Sequence, residues 1–200
     1  MRPKFPVPVE HLLASLNKLP GVGPKTALRY MYAILRWQNQ DRAGLASALL
    51  ELNATLLVCA KCHTLSDVNP CSICADGKRD ATTVCMVAEP QDLLAIESTG
   101  MYTGRYYVLG AVISPLDGVR PEDLHTRPLL DRIATEGIRE IILAFDPDAE
   151  GETTTLFLTK LLKTQPVIIS RLGRGIPVGG DLEYADTMTL TDALAGRKIL

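Results

Sequence analysis

The chain has 200 residues, an apolar fraction of 46% and a formal net charge of −2, which allows one medium domain or a few small ones and excludes a low-complexity class. Its longest apolar runs, residues 55–60 and 137–145, are far too short to span a bilayer, and the opening Met1-Arg2-Pro3-Lys4-Phe5-Pro6 lacks the apolar segment of a secretion signal. The charge is unevenly spread: residues 1–53 carry seven basic against three acidic groups, residues 81–200 eleven against seventeen, so a basic head that suits a polyanion precedes an acidic body.

In the head, Val9, Leu12, Leu13, Leu16 and Leu19 trace the stripe of an amphipathic helix. The turn Leu19-Pro20-Gly21-Val22-Gly23-Pro24-Lys25 follows, and a second helix runs from Pro24 through Ala27, Leu28, Met31, Ile34 and Leu35. Pro24 suits a first helical turn, where a missing N–H is harmless. Gly21 and Gly23 allow a tight turn and close approach of a ligand to the backbone. Lys25 and Arg29, four apart, share one face. Two helices joined in this way resemble a helix-hairpin-helix, whose second helix can take a phosphate oxygen on its N-terminal amides while the basic pair adds charge. The competing reading is an ordinary helical hairpin closed by a glycine cap.

Next come Cys59-Ala60-Lys61-Cys62 and Cys71-Ser72-Ile73-Cys74. A cytoplasmic protein is expected, and in that compartment clustered cysteines more often hold metal than pair as disulfides. Two such knuckles supply four thiolates for a closed, tetrahedral, structural Zn²⁺ site. Metal binding would stabilise a segment too short to bury a core. With four thiolates present, His63 is redundant as a ligand, and Cys85 belongs to an apolar strand.

From residue 81 strand and helix alternate. Strands are predicted over 83–88, 106–110, 138–145 and 167–170, with helices over 90–97, 128–136 and 150–163, a pattern that argues for a parallel α/β sheet. The first of these strands ends at Glu89. The third ends at Asp146-Pro147-Asp148-Ala149-Glu150-Gly151-Glu152. Ligands bind at the carboxyl ends of parallel strands, so Glu89, Asp146 and Asp148 are candidate oxygen ligands for Mg²⁺. The same acids, Glu150 and Glu152 above all, suit helix N-caps and first turns. A turn-rich loop spans 110–121. The tail is rich in glycine and contains Arg171 and Arg174, but it has no P-loop, and its Asp181, Glu183 and Asp186 suit turns and caps.

The order of these parts resembles the RecR family of bacterial recombination mediators across essentially the whole chain. Specific matches are Leu19-Pro20-Gly21-Val22-Gly23-Pro24-Lys25, Ile113-Ser114-Pro115-Leu116-Asp117-Gly118, Glu150-Gly151-Glu152 and residues 175–186. The resemblance implies a helix-hairpin-helix over 1–53, a four-cysteine zinc finger over 54–80, a Toprim domain over 81–177 and a short C-terminal segment over 178–200. It implies a clamp-like homo-oligomer, tetramer or dimer, that binds single-stranded, double-stranded or gapped DNA near the nucleoid. Partners would be RecO and RecF, and RecA would be loaded onto strands coated with single-strand-binding protein. By motif position Lys25 and Arg29, with Gly21 and Gly23, correspond to the DNA-contacting element, and Cys59, Cys62, Cys71 and Cys74 to the zinc ligands. Glu89, Asp146, Asp148, Glu150 and Glu152 match the acidic Toprim face, associated in the family with RecO contact. Where many members carry Asn-Pro, this chain has Asp146-Pro147 and keeps an intact Asp-x-Asp pair. That departure leaves a second reading open, a metal-dependent Toprim enzyme acting on DNA phosphodiesters.

Overall fold

The computed structural model describes residues 5–199, apart from the side chain of Asn53. Residues 1–4, most of the opening stretch considered above as a signal, lie outside the described residues. The chain divides into two compact units, residues 1–56 and 57–200.

The first unit is helical: α1 (Val7–Leu16), α2 (Pro24–Arg36) and α3 (Asn39–Thr55). Helix α1 starts two residues earlier than its apolar stripe, because the chain enters through Pro6 and carries another proline in the first turn. On α2, Ala27 and Met31 stand one turn apart and are buried. Helix α3 buries no apolar stripe: its Leu45, Leu49 and Leu52 are exposed.

The second unit opens with a short antiparallel hairpin, β1 (Leu57–Val58) and β2 (Leu65–Ser66), and a one-turn helix α4 (Ser72–Ala75). The expected alternation of strand and helix follows: β3 (Asp80–Val87), α5 (Pro90–Glu97), β4 (Gly104–Val108), α6 (Arg127–Glu136), β5 (Glu140–Ala144), α7 (Ala149–Leu162) and β6 (Ile168–Arg171). The strands pair in the order β4-β3-β5-β6, all parallel. The tail adds α8 (Thr187–Ala195).

Alternate residues of β3 build two cores. Val84 and Met86 pack with Tyr107, Leu129, Ile133, Leu158 and others on the face covered by α6 and α7. Cys85 and Val87 pack with Leu93, Tyr106 and Val108 on the face covered by α5. Each fully buried Leu or Ile contributes roughly 1.5–3 kcal/mol, so both faces are firmly held. The chain leaves β3 toward β4 and then returns past it to β5, so the topological switch point lies between the carboxyl ends of β3 and β5. Those are the ends that carry Glu89 and Asp146.

Candidate functional site

The knuckle module has the most fully built geometry. All four of its cysteines are buried and none is in a disulfide. Their sulfurs lie within 4.8 Å of one another, with Cys62 Sγ 3.5 Å from Cys71 Sγ. A tetrahedral zinc with Zn–S bonds near 2.3 Å spaces its sulfurs roughly 3.8 Å apart, so the four thiolates fit that ion and leave no open coordination position. Packed this closely, the thiols compete for protons. The hydrogen bond from Cys62 brings Cys74 down to about 6, and the same bond pushes Cys62 far up.

The backbone explains the convergence. The His63 amide donates to Cys59 O at 2.9 Å and that of Cys59 to Thr64 O at 2.8 Å. His63 takes the left-handed conformation, with φ of 62°, that closes the first turn. Asn69 Oδ1 accepts from the Ala60 amide at 3.0 Å, and the Cys71 amide donates to Cys59 Sγ at 3.3 Å. The His63 ring turns away from the sulfurs. It packs on Tyr107 and His125, with centroids 4.9 and 5.5 Å apart, and burial there lowers its pKa.

In the first unit, Gly21 supplies the positive φ of 74° that the hairpin turn needs. Gly23 is the N-cap of α2, and no side chain caps that helix. Its first amides therefore face outward beside the exposed side chains of Lys25 and Arg29.

The acids at the carboxyl end of the sheet are arranged differently. Glu89 is the N-cap of α5, where its amide donates to Asp92 Oδ2 at 2.9 Å and its carboxylate accepts from Gln91. Asp148 is the N-cap of α7 and accepts from the Gly151 amide at 2.7 Å. Glu150 accepts from Ser114 Oγ at 2.6 Å, and Glu152 pairs with Arg174. Asp146 is exposed and lines a cavity of about 620 Å³ with Pro147, Arg171, Gly173 and Arg174. Among the described residues, only the four cysteines bring three or more metal-ligating groups together. The expected Mg²⁺ site of Glu89, Asp146 and Asp148 is therefore not supported: the Asp148 carboxylate is taken up by the amide of its own helix start and that of Glu89 by the Gln91 side chain. Gly151 has a steric role, since a Cβ there would collide with the Asp146 carbonyl.

Two curated proteins are similar along almost their full length. The recombination protein RecR of Streptomyces coelicolor is 47% identical over 192 residues, 96% of each chain. That of Gloeobacter violaceus is 46% identical over 191 residues, 96% of this chain and 97% of its own. The chain belongs to the RecR family. Family domains match in order: the RecR helix-hairpin-helix at residues 9–52, the RecR four-cysteine zinc finger domain at 58–76, the Toprim domain at 82–173 and the RecR C-terminal domain at 175–198.

Within the RecR frame, sequence reasoning missed the residues that join the zinc finger to the sheet. Arg132 is 7% exposed and donates to Lys61 O at 2.8 Å and twice to Glu136 Oε2 at 3.1 Å. Arg79 forks onto Glu97 and also donates to Gly104 O at 3.1 Å. Only Arg132 had a faint signal. Leu129 and Ile133 form the buried stripe of α6, and Arg132 with Glu136 interrupts it with a charge pair four residues apart.

Proposed function

We propose that this chain is a non-enzymatic DNA-binding mediator of recombinational repair. In this reading it acts as a clamp-like homo-oligomer that, with RecO and RecF, loads RecA onto single-stranded or gapped DNA bearing single-strand-binding protein. The observation that carries it is the uncapped N-terminus of α2, with Lys25 and Arg29 exposed beside it and Gly21 and Gly23 shaping the turn. Such a site grips the phosphate backbone and reads no sequence, as a protein that must act at any gap requires. The relatives' name, recombination protein, points the same way.

Cys59, Cys62, Cys71 and Cys74 hold structural zinc in this reading. With four sulfurs and no open position, the ion orders the finger and takes no part in chemistry. Glu89, Asp146, Asp148, Glu150 and Glu152 form a face for a basic partner surface, RecO by family resemblance. The exposed Leu45, Leu49 and Leu52, spaced as one stripe along α3, suit self-association. A cytoplasmic site of action beside the nucleoid follows from the DNA substrate.

The competing enzymatic reading needs converging acids and an activated nucleophile. The acids do not converge, and the sheet's tyrosines are unsuited to attack. Tyr102 and Tyr107 donate to the carbonyls of Arg105 and His125. Burial pushes the Tyr107 hydroxyl up to about 12 and those of Tyr102 and Tyr106 higher still. One gel decides, with labelled gapped duplex, Mg²⁺ or Mn²⁺, and the protein beside its Asp146→Asn/Asp148→Asn variant. Shifted, intact DNA is expected from both proteins. Nicking by the wild type that the variant abolishes would make the protein an enzyme.

A further inference from the structure

The two knuckles of the zinc finger are not equally supported. The second, Cys71 to Cys74, is a single helical turn anchored through Ile73, which packs against both the cysteine cluster and the core under α5. The first, Cys59 to Cys62, sits on a hairpin whose strands are two residues long, too short to be stable alone. Yet two consecutive carbonyls of this turn are held from the α/β core, one by strand β4 and one by helix α6. The Val108 amide at the end of β4 donates to Cys62 O at 2.8 Å, and Arg132 Nη1 donates to Lys61 O at 2.8 Å.

We propose that Arg132 is a positioning residue for the zinc centre, a buried strut that fixes the first Cys-x-x-Cys turn in its metal-ready geometry. Lys61 lies between two of the ligands, so its carbonyl reports the shape of the turn. The guanidinium reaches it from α6, touches Tyr106 O of β4 at 3.5 Å, and is itself oriented by Glu136 through Nε and Nη2. Lys61 Nζ and Arg105 Nη1 each lie 3.9 Å from the Glu136 carboxylate, so this acid ties the turn, the helix and the strand together. Burial removes water as an alternative partner for the fork. A planar fork can bind the carbonyl and the carboxylate at once, which a lysine ammonium does less well. Groups that orient metal ligands without touching the metal typically change affinity 10- to 100-fold when removed.

The inference rests on the zinc reading above, and the test separates the two. Full-length protein, stripped of metal and refilled, is titrated with zinc against a chromogenic chelator, for the wild type and for Arg132→Met, Arg132→Lys and Glu136→Gln. The wild type is expected to take one zinc per chain. Arg132→Met is expected to bind it 10- to 100-fold more weakly, with Arg132→Lys closer to Met than to the wild type because it keeps charge without the fork. Glu136→Gln keeps Arg132 but loosens its anchor, so a loss of roughly threefold is expected; this variant decides if Arg132→Met does not fold. Hydrogen exchange at the Val108 amide should quicken both on zinc removal and in Arg132→Lys, since coupling between the two must be reciprocal. Folded Arg132 variants that lower thermal stability but hold zinc as tightly as the wild type would make Arg132 a packing residue only and overturn the proposal. A wild type that takes up no zinc would overturn the zinc reading and the strut with it.

Discussion

In the zinc finger four like side chains turn inward onto one another, whereas at the carboxyl end of the sheet five acids turn to five separate surroundings. Both sets stood out in the sequence as clusters of potential ligands. The difference lies in what else each residue type can do where it stands. A buried thiol has few good partners besides a metal or another sulfur, so four of them brought within 4.8 Å have one sensible use. A carboxylate at the start of a helix already has a task. Asp148 caps α7, Glu89 stands at the start of α5, and Glu152 finds Arg174. Spacing therefore identifies a metal site more surely when the ligand type has no competing structural use.

The largest test of this contrast is to break the thiolate set. Cys62→Ser should lose zinc by metal analysis and destabilise the 57–200 unit by about 4 kcal/mol or more, lowering its melting temperature by roughly 10 °C. Retention of both zinc and melting temperature would show that the four sulfurs are a packing cluster. The basic head supplies the next largest effect and a third kind of site, exposed charge acting on an external polyanion. Lys25→Ala with Arg29→Ala should weaken binding to every DNA sequence alike and reduce the slope of log affinity against log salt by about two. An unchanged slope would remove the hairpin as the DNA site.

Much of the architecture was legible because its determinants are local. Glycine and proline mark the hairpin turn, β-branched runs mark β3 and β5, and helix starts are signalled by Glu89-Pro90 and Asp148. The tail's Asp186 was expected to cap, and it accepts from the Thr189 amide at 2.9 Å. The strand edges were less clear. β4 begins at Gly104, two residues before its apolar run, because Gly104 and Arg105 also pair with β3. Helix α3 was missed since its leucines follow no buried stripe. Least legible were the long-range polar links: no local pattern says that Arg132 will meet Lys61, or that Ser114 will donate to Glu150.

Acids can also matter through partly buried pairing, as Glu97 shows. Its carboxylate accepts from the Arg79 fork and from the Tyr106 hydroxyl at 2.9 Å. The hydrogen bond from Arg79 holds its pKa below the ordinary 4.5. A carboxyl depressed in the folded state contributes stability above its unfolded pKa and loses it as pH falls through the folded value. With the Glu97 side chain 30% exposed, solvent screening keeps the effect to about 1 kcal/mol at neutral pH. Glu97→Gln should thus melt lower than the wild type at pH 7, with the gap closing as pH drops below about 4.5. A gap independent of pH would mean that shape, not charge, is what Gln disturbs.

The smallest expected effect bears most directly on the acidic rim. If Asp148 serves α7 as a cap, then Asn, which caps equally well, should cost only about 0.3 kcal/mol, and Ala about 1 kcal/mol. If it served a cation, Asn and Ala would be nearly equivalent in what they remove. Millimolar Mg²⁺ would then raise the wild-type melting temperature by mass action and leave both variants unmoved. The Asp148 carboxylate already accepts from the Gly151 amide at 2.7 Å, in the geometry of the helix start, and Gly151 is held against the Asp146 carbonyl. Rotating Asp148 toward a cation would break that bond and uncap α7. Thermal melts of the three proteins, with and without Mg²⁺, should therefore rank wild type close to Asn and both above Ala, with no dependence on the ion.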